Sequence, residues 1–257
     1  MNELSAIVQN ILKERYSKNI CAFFYKSLRN EIVATGNFLN VNGKSYVVTC
    51  KHVAEKFFDS KEAVLVTVNK EKLFKNDLKY VWNSNNAIDL ALIEITQYCS
   101  ESTFLIEDFE VINDFSIYPF EKEDFYLCGV VAEYVEVKPK KRTIQPLSIL
   151  TTLYQDKISN DKYLYCSYPK KINEIITTHP SGQLPESGGL SGSFIFKVHG
   201  FELEKLWHTG NAKVIAILTA SDNANYLKCT NIRFLINEFE KNYNLFDNQT
   251  ISNSKST

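Results

Sequence analysis

The dipeptide Asn42-Gly43 constrains this chain most tightly. It stands between two β-rich runs, Glu31 to Asn40 and Lys44 to Thr49. A two-residue hairpin loop needs positive φ at its central residues, which Asn and Gly tolerate best. The spacing predicts a β-hairpin with Gly36-Asn37-Phe38-Leu39-Asn40 as one arm and Ser45-Tyr46-Val47-Val48-Thr49 as the other. The second arm runs straight into Cys50-Lys51-His52-Val53. A histidine is thereby delivered to the end of a strand.

Similar short runs recur along the chain. Residues 3–15 carry Leu4, Ile7, Val8, Ile11 and Leu12 at helical spacing, so a short amphipathic helix is expected there. Cys21 to Tyr25, Ala63 to Val68 and Leu78 to Trp82 read as strands. The loop Asn83 to Asn86 leads into Ala87-Ile88-Asp89-Leu90-Ala91-Leu92-Ile93, with one aspartate at the head of an apolar run. Residues 99–122 read as a connection. Further strands are expected from Phe125 to Val131, Val135 to Val137, Ser148 to Tyr154, Tyr163 to Tyr168, Glu174 to Thr178, Ser193 to Val198 and Lys213 to Thr219.

About six short strands in each half suit an all-β fold of two antiparallel barrels. Short helices are expected at both ends. The expected divisions are 1–18, N-terminal helix; 19–115, first barrel; 116–225, second barrel; 226–246, C-terminal helix around Ile232 to Glu240; and 247–257, a polar disordered tail.

At 257 residues and 44% hydrophobic content the chain can bury a sizeable core. Its 29 basic and 30 acidic residues nearly cancel. That balance gives no electrostatic reason to expect nucleic acid or an anionic membrane as partner. The one dense basic cluster, Lys138-Pro139-Lys140-Lys141-Arg142, reads as a solvated loop or hairpin tip. No apolar run approaches the length of a membrane span, and Met1-Asn2-Glu3-Leu4 begins no secretion signal. The six cysteines form no CxxC pair and read as reduced, mostly buried thiols of a cytoplasmic protein. Nothing has zinc-ligand spacing, and no metal or cofactor is expected.

The chemistry gathers at Gly188-Gly189-Leu190-Ser191-Gly192-Ser193. A serine in a tight glycine-rich turn can expose its hydroxyl, and a substrate can approach the main chain there. A serine hydroxyl is a weak nucleophile without a base. A histidine supplies that base, and a carboxylate can hold its imidazole in one tautomer. The chain offers His52, Asp89 and Ser191 in that order. Ser193 and Ser187 are the rival serines, but only Ser191 has glycines two positions before and one after it.

Three segments resemble chymotrypsin-like serine proteases, and bacterial members above all. Val47-Val48-Thr49-Cys50-Lys51-His52-Val53 resembles the catalytic-histidine segment, Asp89-Leu90-Ala91-Leu92 the aspartate segment, and Gly189-Leu190-Ser191-Gly192-Ser193 the nucleophile turn. The His, Asp, Ser order is that of this family. The resemblance implies a serine endopeptidase with His52 as general base and acid, Asp89 as its orienting group and Ser191 as nucleophile. The backbone N–H groups of Gly189 and Ser191 would form the oxyanion hole. Leu190 stands where digestive relatives carry an aspartate that pairs with a newly cut N-terminus, so activation by N-terminal cleavage is not implied. Phe194 replaces the usual proline after the turn.

By the same resemblance, Pro185 marks the base of the specificity pocket, beside Glu186. Thr219, Ala220 and Ser221 would form its other wall. No aspartate sits at the base, which argues against a preference for Lys or Arg. His179 reads as a loop residue, and His199 and His208 as exposed residues flanking an insertion. The expected partners are a protein or peptide substrate and a regulatory protein, in a stress or antiviral defence setting. The competing expectation is a pseudoprotease that binds peptides without turnover.

Overall fold

In strand β1 (Ile20–Lys26) every residue before Lys26 is buried. Alternate side chains of a strand face opposite ways, so such burial means that both faces are covered. Cys21, Phe23 and Tyr25 belong to one apolar cluster, and Ile20, Ala22 and Phe24 to another. The first cluster fills the concave side of the sheet that holds β1. The second lies between that sheet and the next. This computed structural model describes residues 3–26, 31–95, 103–118, 124–138, 141–168, 176–177, 186–198, 212–222 and 225–243.

The first sheet adds β2 (Glu31–Val41), β3 (Lys44–Cys50), β4 (Ala63–Thr67), β5 (Lys72–Phe74), β6 (Leu78–Asn83) and β7 (Leu90–Ile95). Its spatial order is β5-β4-β1-β2-β3-β7-β6. The second half begins with β8 (Asp124–Val130) and a small hairpin of β9 (Glu136–Lys138) and β10 (Lys141–Thr143). It continues with β11 (Pro146–Thr151), β12 (Tyr163–Ser167), β13 (Ile176–Thr177), β14 (Phe194–Val198), β15 (Ala212–Asp222) and β16 (Tyr226–Asn231). Here the order is β12-β16-β15-β14-β8-β11-β13. Both sheets are antiparallel and curl into half-barrels, as the strand pattern predicts. Each carries seven strands among the described residues, the shortest being three-residue β5 and two-residue β13.

The second sheet repeats the logic of β1. Phe125 and Leu127 of β8 and Ile195 of β14 fill its own interior. Tyr126, Cys128, Val130, Phe194, Phe196 and Val198 join the cluster shared with the first sheet. Helix α1 (Glu3–Tyr16) closes one side of the seam. Its Leu12 and Tyr16 are buried, Tyr16 stacks on Phe196 at 4.4 Å between ring centroids, and Gln9 Nε2 donates to the Ser148 carbonyl at 2.9 Å. Helix α3 (Arg233–Tyr243) presents Leu235 and Phe239 to the same cluster, with Phe239 edge-on to Tyr46.

Three features depart from the sequence reading. Residues 226–231, expected in the C-terminal helix, form β16, because Leu227 and Cys229 alternate into the barrel interior. Helix α2 (Lys51–Asp59) was not expected; its buried Val53, Ala54 and Phe57 have helical spacing. Strands on either side of the basic cluster pair, Lys138 with Lys141, but its Arg142 is only partly exposed. Arg142 donates to Glu31 at 2.6 Å and lies over the Phe24 ring. The tail 247–257 lies outside the described residues, as do His179, His199 and His208. The five described cysteines are free and buried. Within the described residues no helix is long and apolar enough to cross a membrane.

Candidate active site

The Asn42-Gly43 turn has φ of 51° and 78°, as a two-residue hairpin loop requires. It fixes the register of β3, which ends at Cys50 where α2 begins. The buried residues of α2 hold it on the barrel and turn His52 outward from its first helical turn, with 39% of its side chain exposed. Cys50, the residue before the helix, provides no side-chain cap. Another element must therefore satisfy the first N–H groups of α2.

Asp89 does so. Its carbonyl accepts from the Lys51 N–H at 3.1 Å, and its Oδ1 accepts from the His52 N–H at 3.0 Å. Its Oδ2 lies 2.7 Å from His52 Nδ1. A carboxylate only accepts, so Nδ1 carries the proton and Nε2 of the neutral ring is left as the acceptor. Asp89 has φ of 56°, in the left-handed region that aspartate tolerates better than most residues. The loop before it is braced locally. Asn85 Oδ1 accepts from the Ala87 and Ile88 N–H groups, the Asn85 carbonyl from Asp89 N–H, and Ser84 Oγ from Leu90 N–H.

The serine turn comes from the other sheet. Leu190 is buried in the second barrel's interior, and Gly192, at φ of 96°, turns the chain back into β14. The first sheet clamps this turn. Thr35 N–H donates to the Ser191 carbonyl at 2.9 Å, Thr35 Oγ1 to the Gly189 carbonyl at 2.8 Å, and Asn37 Nδ2 to the Gly192 carbonyl at 2.6 Å. Thr49 Oγ1 donates to the Thr35 carbonyl at 2.8 Å. The Leu218 carbonyl accepts from Gly192 N–H at 2.8 Å and from the Cys50 thiol at 3.2 Å. The serine turn and the strand that ends two residues before His52 thus share one acceptor.

Ser191 is half-buried, whereas Ser193 is fully buried, so Ser193 is excluded as the exposed hydroxyl. A Cβ at Gly129 would lie 1.9 Å from Ser193 Oγ, so the glycine makes room for this serine inside the barrel. Ser187 is buried, with its Oγ 2.6 Å from Ser221 Oγ. Gly189 has φ of 100°, and a Cβ there would lie 2.7 Å from the Val130 carbonyl oxygen. Among the described residues, the N–H groups of Gly189 and Ser191 donate to no backbone carbonyl, and no hydrogen bond joins Ser191 Oγ to His52. Phe194 packs on Phe104 and Phe109 in the shared core.

The pocket residues are treated unequally. Pro185 lies outside the described residues. Ala220 is exposed and Ser221 half-buried. Thr219 does not line an open wall: it is buried at a register shift between β15 and β16, with Oγ1 3.1 Å from Thr230 Oγ1. Glu186 is exposed, and its N–H donates to Glu133 Oε1.

Ligand atoms of Cys50, His52 and Asp89 lie within 4.8 Å of one another, a grouping that invites a metal reading. The chemistry of the donors opposes it. Burial, with the Asp89 charge second, pushes the Cys50 thiol well up, so it stays protonated and donates to Leu218. Both Asp89 oxygens are engaged by His52.

Sequence reasoning missed Thr35, Asn37 and Thr49, which hold the turn. The signal was there: Thr35 and Asn37 are polar residues set among Val33, Ala34, Phe38 and Leu39 in the buried middle of β2.

No protein-family model and no curated protein sequence matches this chain. Solved structures do. A serine endoprotease from Yersinia pestis superposes with a TM-score of 0.51 at 14% identity, over 91% of this chain and 65% of that one. The HtrA-type protease AlgW, solved with a tripeptide, gives 0.51 at 12% identity, over 91% and 62%. The MamO protease domain from Magnetospirillum magneticum gives 0.51 at 11% identity, over 88% and 98%. The chain thus spans a little under two thirds of the first two. At these identities the likeness concerns architecture, and that architecture is the chymotrypsin-like serine protease fold.

Proposed function

We propose that the protein is a serine endopeptidase that hydrolyses peptide bonds through an acyl-enzyme. The observation that carries this reading is the 2.7 Å contact between Asp89 Oδ2 and His52 Nδ1, which leaves Nε2 as the base. Ser191 Oγ attacks the scissile carbonyl carbon as its proton passes to Nε2. The Gly189 and Ser191 N–H groups receive the oxyanion. Nε2 then protonates the leaving amine, and water repeats the sequence on the acyl ester. The gap between Ser191 and His52 closes when substrate is bound, since apo catalytic contacts are often loose. The residues of this site complete the reaction without a metal or cofactor. The tripeptide held by AlgW supports a peptide substrate.

The substrate is narrow and a partner governs access. The turn is already braced by Leu190, Thr35 and Asn37, so restraint comes from outside the chain. Free cysteines fit a reducing cytoplasm, and a bacterial stress or antiviral defence system is the setting we propose. The test is labelling by a fluorophosphonate probe. Wild type is expected to react and Ser191→Ala not to. Equal behaviour of the two, or no labelling of wild type even with peptide present, would favour a peptide-binding module instead.

A further inference from the structure

Beside the proposed site the second sheet carries a lysine for which the mechanism has no use. Lys228 on β16 stands directly opposite Ala220 on β15 and Tyr165 on β12. Residues so paired share a face of the sheet, and residues two positions along share it too. Tyr163, Tyr165, Tyr226, Lys228 and Ala220 therefore lie on one face. Leu164, Cys166, Leu227 and Cys229 lie on the other, inside the barrel.

This face turns toward the loop that delivers Asp89. Tyr163 OH donates to the Ala87 carbonyl, and Thr230 Oγ1 donates to the Ile88 carbonyl at 3.0 Å. Lys228 Nζ sits 3.7 Å from the Tyr163 ring centroid. A second ammonium, Lys157, lies 4.0 Å from the Tyr226 ring centroid. Among the described residues no carboxylate forms an ion pair with Lys228; Asp161 is taken by Arg233 at 2.7 Å.

Among the described residues, no strand pairs with the far edge of β15 beyond Ile217. β14 pairs with β15 only as far as Ile217, and Leu218 is bonded to the serine turn through its N–H and carbonyl. From Ala220 to Asp222, β15 pairs with β16 alone among the described residues, and Ser221 is also held through its Oγ, 2.6 Å from Ser187 Oγ. An extended peptide added on the free edge places alternate side chains on the face of Ala220 and Lys228. Two strand spacings, about 10 Å, then separate that residue from Lys228. A lysine and a carboxylate side chain together span this gap across the small Ala220. The ammonium now rests on the Tyr163 ring, on the β12 side of β16, and swings over Ala220 to meet the carboxylate.

We infer that Lys228 is a specificity residue, selecting an acidic side chain in the substrate segment bound along Ala220–Asp222. The inference rests on the endopeptidase reading. It is tested by digesting a library of proteome-derived peptides with wild type, Lys228→Ala and Lys228→Glu, and sequencing the cut sites by mass spectrometry. Ser191→Ala provides the blank.

Wild type is expected to show Asp and Glu enriched at one position a few residues from the cut. In Lys228→Ala that enrichment falls about fivefold, the upper range for one partly exposed ion pair. In Lys228→Glu it reverses toward Lys and Arg. Raising the salt weakens the wild-type enrichment. Cutting by wild type without acidic enrichment, or enrichment that survives both substitutions, overturns the inference and leaves the endopeptidase reading standing. If wild type cuts nothing above the blank, the endopeptidase reading itself fails and takes this inference with it.

Discussion

An added Cβ at Gly192 would lie 2.0 Å from the Thr35 carbonyl oxygen and 2.6 Å from Thr49 Oγ1. The φ of 96° is strained for any side chain as well. At Gly188, four residues earlier, a Cβ would meet nothing within 4 Å. The two glycines look alike in sequence and differ in what surrounds them. Gly192→Ala is expected to cost about 2–4 kcal/mol, combining backbone strain with a shifted clamp. Gly188→Ala is expected to stay within about 0.5 kcal/mol of wild type. Urea unfolding of both variants checks this. Equal midpoints would mean that the turn is not held against the first sheet as described.

At the scale of elements, β2 acts as the clamp on a turn that belongs to the opposite sheet. Asn37→Ala leaves the Gly192 carbonyl without its donor in a buried setting, at a cost of about 1–3 kcal/mol. Because the turn then drifts, kcat is expected to fall more than tenfold with KM little changed. Steady-state kinetics on any cleaved peptide decides the point; a loss confined to KM would place Asn37 in substrate binding.

The elements also show what could be read in the sequence. The hairpin at Asn42-Gly43 was legible because two positive-φ residues in sequence admit few conformations. His52, Asp89 and Ser191 stand out as candidates because each sits close to one end of an apolar run. The clamp was not, since it joins residues more than 150 positions apart through carbonyls that every residue has. Helix α2 is only nine residues long and follows a strand without a break. β16 reads as part of the helix that follows it because both mix apolar and polar residues and no Gly or Pro separates them. Thr219 was placed on an open wall because a one-residue register shift leaves no mark in composition.

For the whole molecule, both barrel interiors and the seam between them are lined with acids too weak to ionise in place. Burial pushes the thiols of Cys21, Cys50 and Cys229 well above the usual 9.0, and that of Cys128 up as well. It moves Tyr16 and Tyr25 to about 12. Above about pH 9 the unfolded chain releases protons that the folded chain keeps. Stability is therefore fully present below that pH and lost as pH rises. Each such group contributes a slope of about 1.4 kcal/mol per pH unit once its unfolded form ionises. The urea midpoint is expected to be flat from about pH 7 to 8 and to fall steeply beyond 9. A midpoint unchanged at pH 10 would show that these side chains reach water in the folded state.

The seam has one more consequence, which concerns time. His52 and Asp89 leave the ribosome more than a hundred residues before Ser191, and the strand that receives the serine turn follows later still. Among the described residues of the first sheet, no hydroxyl is hydrogen-bonded to His52. A growing chain therefore lacks the proposed site until the serine turn has been made and has met Thr35 and Asn37 of β2. In the order of synthesis, the hydroxyl is the last of the three groups to arrive.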